Sequence, residues 1–310
     1  MVERNLFFDT ATLYYRAFFA VPEKIVAPDG TPSGAVRGFL EMVTNIVKDF
    51  PPNELVFAWD DDWRPQWRVD LIPSYKLHRV DEAAVEGESF EVIPDLLSPQ
   101  IGAIAAILDA VGFARVGQVG HEADDVLGAL VHRSGTNCDV VTGDRDLFQL
   151  VDDRAGIRVV SITKGVKNLE VVTDSYLLER YGVTGKQYAD FSMLRGDPSD
   201  GLPGVKGIGE KTAAKLISQY QDLPGLLAAA ADMDSDIPKA VRTNLLASNS
   251  YIKAASKVVR VKTSAKLPKS LQVPTVVKNP TFLGDLVTDW GIERQIGRLL
   301  KVLNIGNLVS

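Results

Sequence analysis

HEADDVLGALVHRSGTNCDVVTGDRD, residues 121–146, contains a helix pattern followed directly by a strand pattern. Apolar positions recur at helical spacing in the first half, whereas CDVVTGD (138–144) is a short apolar run typical of a buried strand. The helix dipole accounts for acids in a first helical turn, and GDRD would serve as a turn that caps a helix. Acids lie where the helix begins and after the strand: Glu122, Asp124, Asp125, Asp144 and Asp146.

Three further apolar runs predict buried strands: RNLFFD (4–9), ELVFAWD (54–60) and IRVVSIT (157–163). Helical patterns separate them, in SGAVRGFLEMVTNIVKDF (33–50) and SPQIGAIAAILDAVGF (98–113). This alternation predicts an α/β fold whose mostly parallel sheet is covered by helices. Sheets of this class bind ligands at the carboxyl ends of their strands.

The C-terminal part of the chain has a different pattern of apolar residues. Helical patterns predominate after about residue 176, which predicts a core over residues 1–176 and a helical region over 177–310. VVRVKT (258–263) predicts one last strand within that region. Within the core, the polar and acidic stretch at about 77–100 predicts a mobile loop or an arch of short helices.

Acids end or follow the first three predicted strands. Asp9 ends the first, Asp60 and Asp61 follow the second, and Asp144 and Asp146 follow the third. We expect these acids to converge with the three carboxylates of the opening helix, and to repel one another unless cations lie between them. Mg²⁺ and Mn²⁺ prefer such oxygen ligands. Two ions about 4 Å apart can activate water and stabilise the leaving oxygen of a phosphodiester.

Charge and composition restrict the class of protein. The net charge is −6, but residues 239–310 carry twelve basic and three acidic residues, a net charge of +9. This asymmetry indicates a polyanionic partner or, equally well, a solvated basic surface. No apolar run is long enough to span a membrane, and the N-terminus lacks a signal-peptide pattern. The single cysteine, Cys138, excludes an internal disulfide and fits a reducing cytoplasm. We also expect the chain to be a monomer.

GVKGIGEKTAAKL (204–216) predicts a glycine hairpin that leads into a helix. Glycines allow close approach to a phosphate, and the helix N-terminus presents free N–H groups to it. A dinucleotide fingerprint would need a strand directly before it, and the P-loop spacing is absent. The pattern, over about 190–220, therefore favours a helix-hairpin-helix that contacts DNA without reading its sequence. Its candidate DNA-binding residues are Gly204, Lys206, Gly207, Gly209, Lys211 and Lys215.

With these motifs, the chain resembles the bacterial 5′-nuclease family, which comprises flap endonucleases and the 5′→3′ exonuclease domain of DNA polymerase I. The resemblance rests on YYRAFFA (14–20), RVDLIPSYKLHR (68–79), HEADDVLGAL (121–130), TGDRDLFQLV (142–151) and GDPSDGLPGVKGIGEKTA (196–213). It implies a PIN-like core with a helical arch. It also implies a divalent-metal-dependent 5′→3′ exonuclease and 5′-flap endonuclease that acts on DNA in replication and repair, with RNA-primed ends as a further candidate substrate.

The resemblance also implies roles for single residues. One metal would be held by Asp9, Asp60 or Asp61, Glu122 and Asp124, with Asp125 and Asp144 close by. The second would be held by Asp146, Asp197 and Asp200 with Asp144. The strand end favours Asp60, whereas the spacing to Arg68 and Tyr75 favours Asp61, slightly more strongly. Lys76, Arg79 and Arg16 would stabilise the scissile phosphate, and Tyr75 would stack on a displaced base. A K⁺ ion would bind hairpin carbonyls near Val205 and Ile208.

Three features depart from the family pattern. Asp9 is followed by Thr10 instead of glycine, the segment after Arg79 is longer and more acidic, and no polymerase segment follows, which predicts a stand-alone form. One alternative is a non-catalytic protein that binds DNA junctions; the complete acid set argues against it. Another is a metal-dependent phosphatase, whose motif in one large class needs a second aspartate where this chain has Ala11.

Overall fold

The computed structural model describes residues 3–80 and 91–306, and it is built on one six-stranded sheet. The strands are β1 (Asn5–Asp9), β2 (Leu55–Ala58), β3 (Ala114–Val116), β4 (Cys138–Thr142), β5 (Arg158–Ser161) and β6 (Glu170–Val172). Their order is β3-β2-β1-β4-β5-β6, and all neighbours are parallel except β5 and β6. The predicted α/β class and mostly parallel sheet are confirmed. The two strands that were not predicted, β3 and β6, have only three residues each, too few for a recognisable pattern.

Helices cover both faces of this sheet. They are α1 (Thr10–Ala20), α2 (Gly34–Asp49), α3 (Gln66–Leu71), α4 (Ser98–Val111), α5 (Ala123–Ser134), α6 (Asp174–Tyr181), α7 (Gly185–Arg195), α8 (Glu210–Tyr220), α9 (Leu223–Ala231), α10 (Lys239–Ala247), α11 (Asn249–Val258), α12 (Pro280–Trp290) and α13 (Glu293–Val302). Short 3₁₀ turns occur at Leu77–Arg79, Asp146–Leu150 and Pro198–Asp200.

The core has two layers because side chains of a strand alternate between faces. Phe7 of β1 belongs to one buried apolar cluster with residues of α5, α7 and α8, whereas Leu6 and Phe8 belong to another with residues of α1, α2 and α4. All three side chains are fully or almost fully buried. This two-sided burial explains why the central strands are continuous apolar runs without alternating polar residues.

The prediction of a strand at 258–263 is wrong. Helix α11 extends to Val258, the N–H of Val259 still donates to the Ala255 carbonyl, and two later backbone N–H groups are satisfied by side chains. The N–H of Val261 donates to Gln149 Oε1 at 3.1 Å, and the N–H of Lys262 donates to Asp125 Oδ1 at 2.7 Å. The segment therefore docks on the core without joining a ladder.

The last two helices lie within the predicted helical region, although their individual positions were not predicted, and they return to the first part of the chain. Helix α13 packs against α2, and α12 packs against α4. The backbone N–H groups of Lys278 and Asn279 also donate to the carbonyls of Val111 and Ala110 at the end of α4. Thus residues 280–302 complete one face of the sheet, while the domain boundary near residue 176 stays a prediction.

Only the edges of the predicted arch at 77–100 can be assessed. Leu77–Arg79 forms a 3₁₀ turn, Val80 pairs with Glu91 in an isolated bridge, and α4 begins at Ser98. Residues 81–90 lie outside the described part of the chain. Within the described part, every helix is too short or too polar to cross a membrane.

The return of α13 to the core gives a stability test. Leu299 is fully buried in this helix, so Leu299→Ala should lower the free energy of unfolding by about 2–5 kcal/mol. Thermal and urea unfolding would measure the change. Lys301→Ala, at an exposed position of the same helix, is the control and should change it by less than about 0.5 kcal/mol. Equal stability of the two variants would contradict the assigned packing.

Candidate active site

Acids from three neighbouring strands meet at the carboxyl edge of the sheet. Strand β1 lies between β2 and β4, so Asp9 at its end, Asp60 after β2 and Asp144 after β4 are brought together. They line a cavity of about 750 Å³. The lining also includes four more acids, Glu91, Glu122, Asp124 and Asp197, and four cationic side chains, Arg16, Lys76, Arg79 and Arg145. The predicted convergence of acids therefore occurs in the structure.

The electrostatics of this edge are unfavourable to ionised carboxylates. Burial, supplemented by the charges of Asp60 and Asp144, raises the pKa of Asp9 to about 7. Burial also raises the pKa of Asp124 and of Asp146 well above the usual range, and the charge of Asp144 adds to both shifts. Such a cluster binds protons or other cations to relieve its repulsion.

Asp144 links two groups of acids. Its charge contributes to raising the pKa of Asp9 and Asp124 on one side, and of Asp146 and Asp200 on the other, in each case after the larger effect of burial. Asp197 further raises the pKa of Asp146 and Asp200. The acids thus form two neighbouring groups that share one exposed carboxylate, Asp144.

Neutral donors orient several of these carboxylates. The hydroxyl of Thr142 donates to Asp9 Oδ2 at 2.6 Å, the N–H of Ala123 donates to Asp60 Oδ1 at 2.8 Å, and the hydroxyl of Ser192 donates to Asp146 Oδ1 at 3.2 Å. Thr142 and Ser192 were not singled out from the sequence. Their only signal is position, since Thr142 ends β4 two residues before Asp144.

Lys76 lies within the acid cluster and pairs with Glu122. Its ammonium contacts Glu122 Oε2, and this carboxylate also accepts a hydrogen bond of 2.9 Å from the Tyr75 hydroxyl. Despite its burial, the charges of Glu122, Tyr75 and Asp200 raise the pKa of Lys76 well above its usual value. Tyr75 is only 4% exposed, so the structure does not present it for the predicted stacking on a base; it orients Glu122 instead.

The segment that carries Lys76 is docked on the loop that carries Asp197 and Asp200. The backbone N–H of Lys76 donates to the Asp200 carbonyl at 3.0 Å, and Arg79 Nη2 donates to the Ser199 carbonyl at 2.9 Å. A side chain at Gly201 would overlap the Ser74 carbonyl oxygen. Lys76 itself has a φ of +48°, a left-handed conformation that is uncommon for lysine and that this docking maintains.

Of the two acids left open after β2, the structure brings Asp60 to the cavity. Asp61 is exposed and packs against Gly117, where even a Cβ atom would overlap the Asp61 carboxyl group. The chain turns directly after β2, where the N–H of Asp61 donates to the Trp59 carbonyl at 3.2 Å, and of the two acids only Asp60 lines the cavity. The expectation from the family's spacing to Arg68 and Tyr75 was different, because that spacing slightly favoured Asp61.

Asp125, expected near the metals, lies in a different environment. Its carboxylate accepts 2.8 Å hydrogen bonds from both terminal nitrogens of Arg68, in addition to the backbone N–H groups of Glu122 and Lys262. The side chain is fully buried. The hydrogen bonds and charge of Arg68 outweigh the effect of burial and lower the pKa of Asp125. Both oxygens are therefore occupied by protein donors, and Asp125 anchors the beginning of α5.

The glycine hairpin forms between α7 and α8. Gly204 and Gly207 have φ values of +70° and +75°, and a side chain at Gly204 would overlap the backbone of Arg195. Gly209 is the N-cap of α8, with open space where a side chain would lie. The three lysines of the motif, Lys206, Lys211 and Lys215, are exposed. This is the geometry expected of a surface that accepts a phosphate backbone.

The donors at the cavity fit hard divalent cations. The cluster offers carboxylate oxygens, without thiol or imidazole, and several of these carboxylates have raised pKa values. Among residues 3–80 and 91–306, however, no three Asp, Glu, His or Cys side chains are arranged to hold one ion directly. The ammonium of Lys76 lies beside the Glu122 carboxylate, where an ion would otherwise bind. Because Mg²⁺ usually retains several waters, the carboxylates would hold an ion partly by direct contacts and partly through water.

Removing the charge of Asp124 or of Asp125, two adjacent acids of α5, should have different effects on the free energy of unfolding. Asp125→Asn breaks a buried ion pair and should lower the free energy of unfolding by about 3–5 kcal/mol. Asp124→Asn removes a carboxylate whose charge is disfavoured by burial and by Asp144, so stability without metal should stay equal or rise. Thermal unfolding in chelator at pH 8 would test this. If Asp125→Asn unfolds no earlier than the unmodified chain, the anchoring role is wrong.

Comparison with known proteins agrees with this architecture. The 5′-3′ exonuclease N-terminal resolvase-like domain matches residues 4–182, and the 5′-3′ exonuclease C-terminal SAM fold matches residues 183–280. A 5′-3′ exonuclease of Streptomyces coelicolor is 50% identical over 296 residues, covering 95% of this chain and 98% of that protein. DNA polymerase I of Mycobacterium bovis is 37% identical over 241 residues, covering 76% of this chain and 25% of the polymerase.

A solved structure shares the fold at low sequence identity. The bacteriophage T5 flap endonuclease, in a pseudo-enzyme-product complex with DNA and metal ions, superposes with a TM-score of 0.62 at 18% identity. The match covers 97% of this chain and 99% of that one. Together with the two domain matches, which span residues 4–280, these similarities show that the chain belongs to the 5′-3′ exonuclease family of nucleases.

Proposed function

We propose that the chain is a divalent-metal-dependent 5′→3′ exonuclease and 5′-flap endonuclease that hydrolyses DNA phosphodiesters during replication and repair, as a monomer. One observation carries the proposal: acids from three strand ends and α5 line a cavity together with Arg16, Lys76 and Arg79. Carboxylates supply ligands for metal ions and the cationic groups attract a phosphate, so both requirements of phosphodiester hydrolysis lie in one space.

The two groups of acids would hold two ions, Mg²⁺ or Mn²⁺. The first site would use Asp9, Asp60, Glu122 and Asp124; the second would use Asp146, Asp197 and Asp200; Asp144 would be shared. The bound ions would supply an activated water and neutralise the leaving oxygen. The T5 flap endonuclease, which shares the fold, was crystallised with DNA and metal ions, which supports this assignment.

The protein's own cations would position the substrate and stabilise charge. Lys76 can exchange Glu122 for a phosphate oxygen, because its nitrogen already lies at the cavity and its pKa is raised, which keeps it protonated. Arg79 and Arg16 are held by the carbonyls of Ser199 and Thr163, at 2.9 and 2.7 Å. Groups fixed in advance in this way stabilise developing charge without reorganising during the reaction.

The helical region would hold the duplex. The exposed lysines of the hairpin and the free N–H groups of α8 match phosphates of one strand. A K⁺ ion at the hairpin carbonyls near Val205 and Ile208 would extend this contact. Over residues 237–284 the chain has nine basic residues and no acid, which supports a long electrostatic contact with DNA. RNA-primed 5′ ends are further candidate substrates.

The alternative, a protein that binds DNA junctions without cutting them, is less well supported. A binding surface needs no cluster of carboxylates with raised pKa values, since acids repel the DNA backbone. Nine acids lie at or beside the lining of the cavity, and eight of them, all but Glu91, form the two groups that share Asp144.

The assignment of metal ligands can be tested by comparing Asp60 with Asp61, the two acids after β2, and by changing Asp146 of the second group. Asp60→Asn and Asp146→Asn should each reduce cleavage of a labelled 5′-flap duplex in Mg²⁺ or Mn²⁺ by about a hundredfold or more, a typical loss when a group that stabilises the transition state is removed. Asp61→Asn is the matched control and should cleave normally. Binding of the flap should survive in all three. The reverse ranking of Asp60→Asn and Asp61→Asn would overturn the assignment.

The hairpin assignment predicts a change in salt dependence. Replacing both Lys211 and Lys215 by alanine should weaken binding to all DNA sequences alike, because the lysines contact phosphates. The slope of log Kd against log salt concentration should decrease in magnitude by about 0.9 for each lost contact. Lys48→Ala, at the exposed end of α2, is the control. An unchanged slope in the double variant would place the duplex elsewhere.

A further inference from the structure

Helix α1 has one face in the core and one face in the cavity. Leu13, Tyr14 and Ala17 are buried against the sheet. The cavity-facing positions recur in pairs one turn apart: Ala11, Thr12, Tyr15, Arg16, Phe19 and Ala20. This spacing is that of a single helical face, so α1 forms a continuous wall that begins beside Asp9.

Phe19 is the unusual residue of this wall. Its side chain is 74% exposed although it lines the cavity. Phe18 contacts it edge-on, with ring centroids 5.2 Å apart and planes at 74°, and leaves most of the Phe19 surface accessible. Leaving a phenylalanine exposed forgoes the stabilisation that burial of its ring would provide. A scattered exposed apolar side chain is ordinary on a protein surface, but this one shares a concave site with charged groups.

The surroundings of Phe19 match the chemistry of a single nucleic-acid strand. Arg16 lies on the same face of α1, and Lys76 and Arg79 line the same cavity. Proteins that hold single strands combine cations, which follow the phosphates, with aromatic rings, on which bases stack. Lysine and arginine alone would serve a phosphate; an accessible ring adds a partner for a base.

The position of Phe19 sets which base it would meet. Ten residues separate it from Asp9, which corresponds to about 15 Å along a helix. At the spacing of stacked bases, about 3.4 Å for each nucleotide of a strand, this distance is at most about four nucleotides. A base held there would lie a few nucleotides from the scissile phosphate.

We propose that Phe19 is the stacking platform for one unpaired base of the substrate strand, and that this contact sets the distance between that base and the phosphate that is cut. The proposal rests on the proposed nuclease function, since it uses the acids as the point of cleavage. The ligand is an unpaired nucleobase of any sequence, because every base offers a face to stack on.

Abasic substitution tests the proposal. A series of 5′-flap substrates carries one abasic site at successive positions from the junction, and kcat/KM is measured for each. The unmodified chain should lose about tenfold at one position, within the range for loss of one base–aromatic stack. Phe19→Ala should show a uniformly lower kcat/KM on intact flaps and no position at which the abasic site matters. Phe19→Trp should restore the position-specific loss.

Two controls separate the possible outcomes. Phe282→Ala removes an exposed phenylalanine of α12, outside the cavity, and should keep the full abasic profile. Phe19→Leu retains apolar bulk without an aromatic face and should behave as Phe19→Ala. If the unmodified chain never cuts a flap, the proposed function fails. If it cuts but Phe19→Ala or Phe19→Leu keeps the position-specific loss, only the stacking role is overturned.

Discussion

Repulsion among carboxylates at one edge of the sheet is the constraint on which the site depends. Because β1 lies between β2 and β4, acids after these strands cannot avoid one another. The structure provides neutral donors such as Thr142 and one embedded ammonium, that of Lys76. The pKa values of Asp9, Asp124 and Asp146 nevertheless remain raised. The neutral donors and the ammonium therefore do not offset the effect of burial. The unsatisfied negative charge is what makes the edge a place for cations.

The sequence was sufficient to predict the sheet class, the strands that carry acids and the hairpin. Buried parallel strands are continuous apolar runs, and glycines with positive φ leave a recognisable spacing. The three-residue strands β3 and β6 were too short to detect. At 258–263, hydrogen bonds from the side chains of Gln149 and Asp125 replace a ladder, a contact between distant segments that strand propensity does not contain.

Within the site, the identity of the acids could be predicted but their directions could not. Asp60 and Asp61 are chemically equal and adjacent, and only their contacts distinguish them: Asp60 accepts from the Ala123 N–H, whereas Asp61 packs against Gly117. Asp125 belongs to an acidic motif, yet Arg68, 57 positions earlier, occupies its carboxylate. Tyr75 has the ring of a stacking residue, but burial beside Glu122 assigns it another contact. Each departure from the predicted role is thus determined by a contact with a residue that is distant in the sequence.

Arg68 joins three parts of the chain at one guanidinium. It pairs with Asp125 of α5, contacts the Val258 carbonyl at the end of α11, and lies 3.4 Å from Glu122. The helical region is thereby tied to the same residue that steadies the beginning of α5. One side chain, that of Arg68, therefore links the end of α11 to Glu122.

The docking of Ser74 and Lys76 on the loop at 197–201 has a consequence for the geometry of the cavity. The Ser74 carbonyl lies against Gly201 and the Lys76 N–H donates to the Asp200 carbonyl, so backbone contacts join the segment of Lys76 to the loop that carries Asp197 and Asp200. A change in the position of that loop would therefore alter the position of Lys76 as well. The cationic side and the acidic side of the cavity thus share one set of backbone contacts.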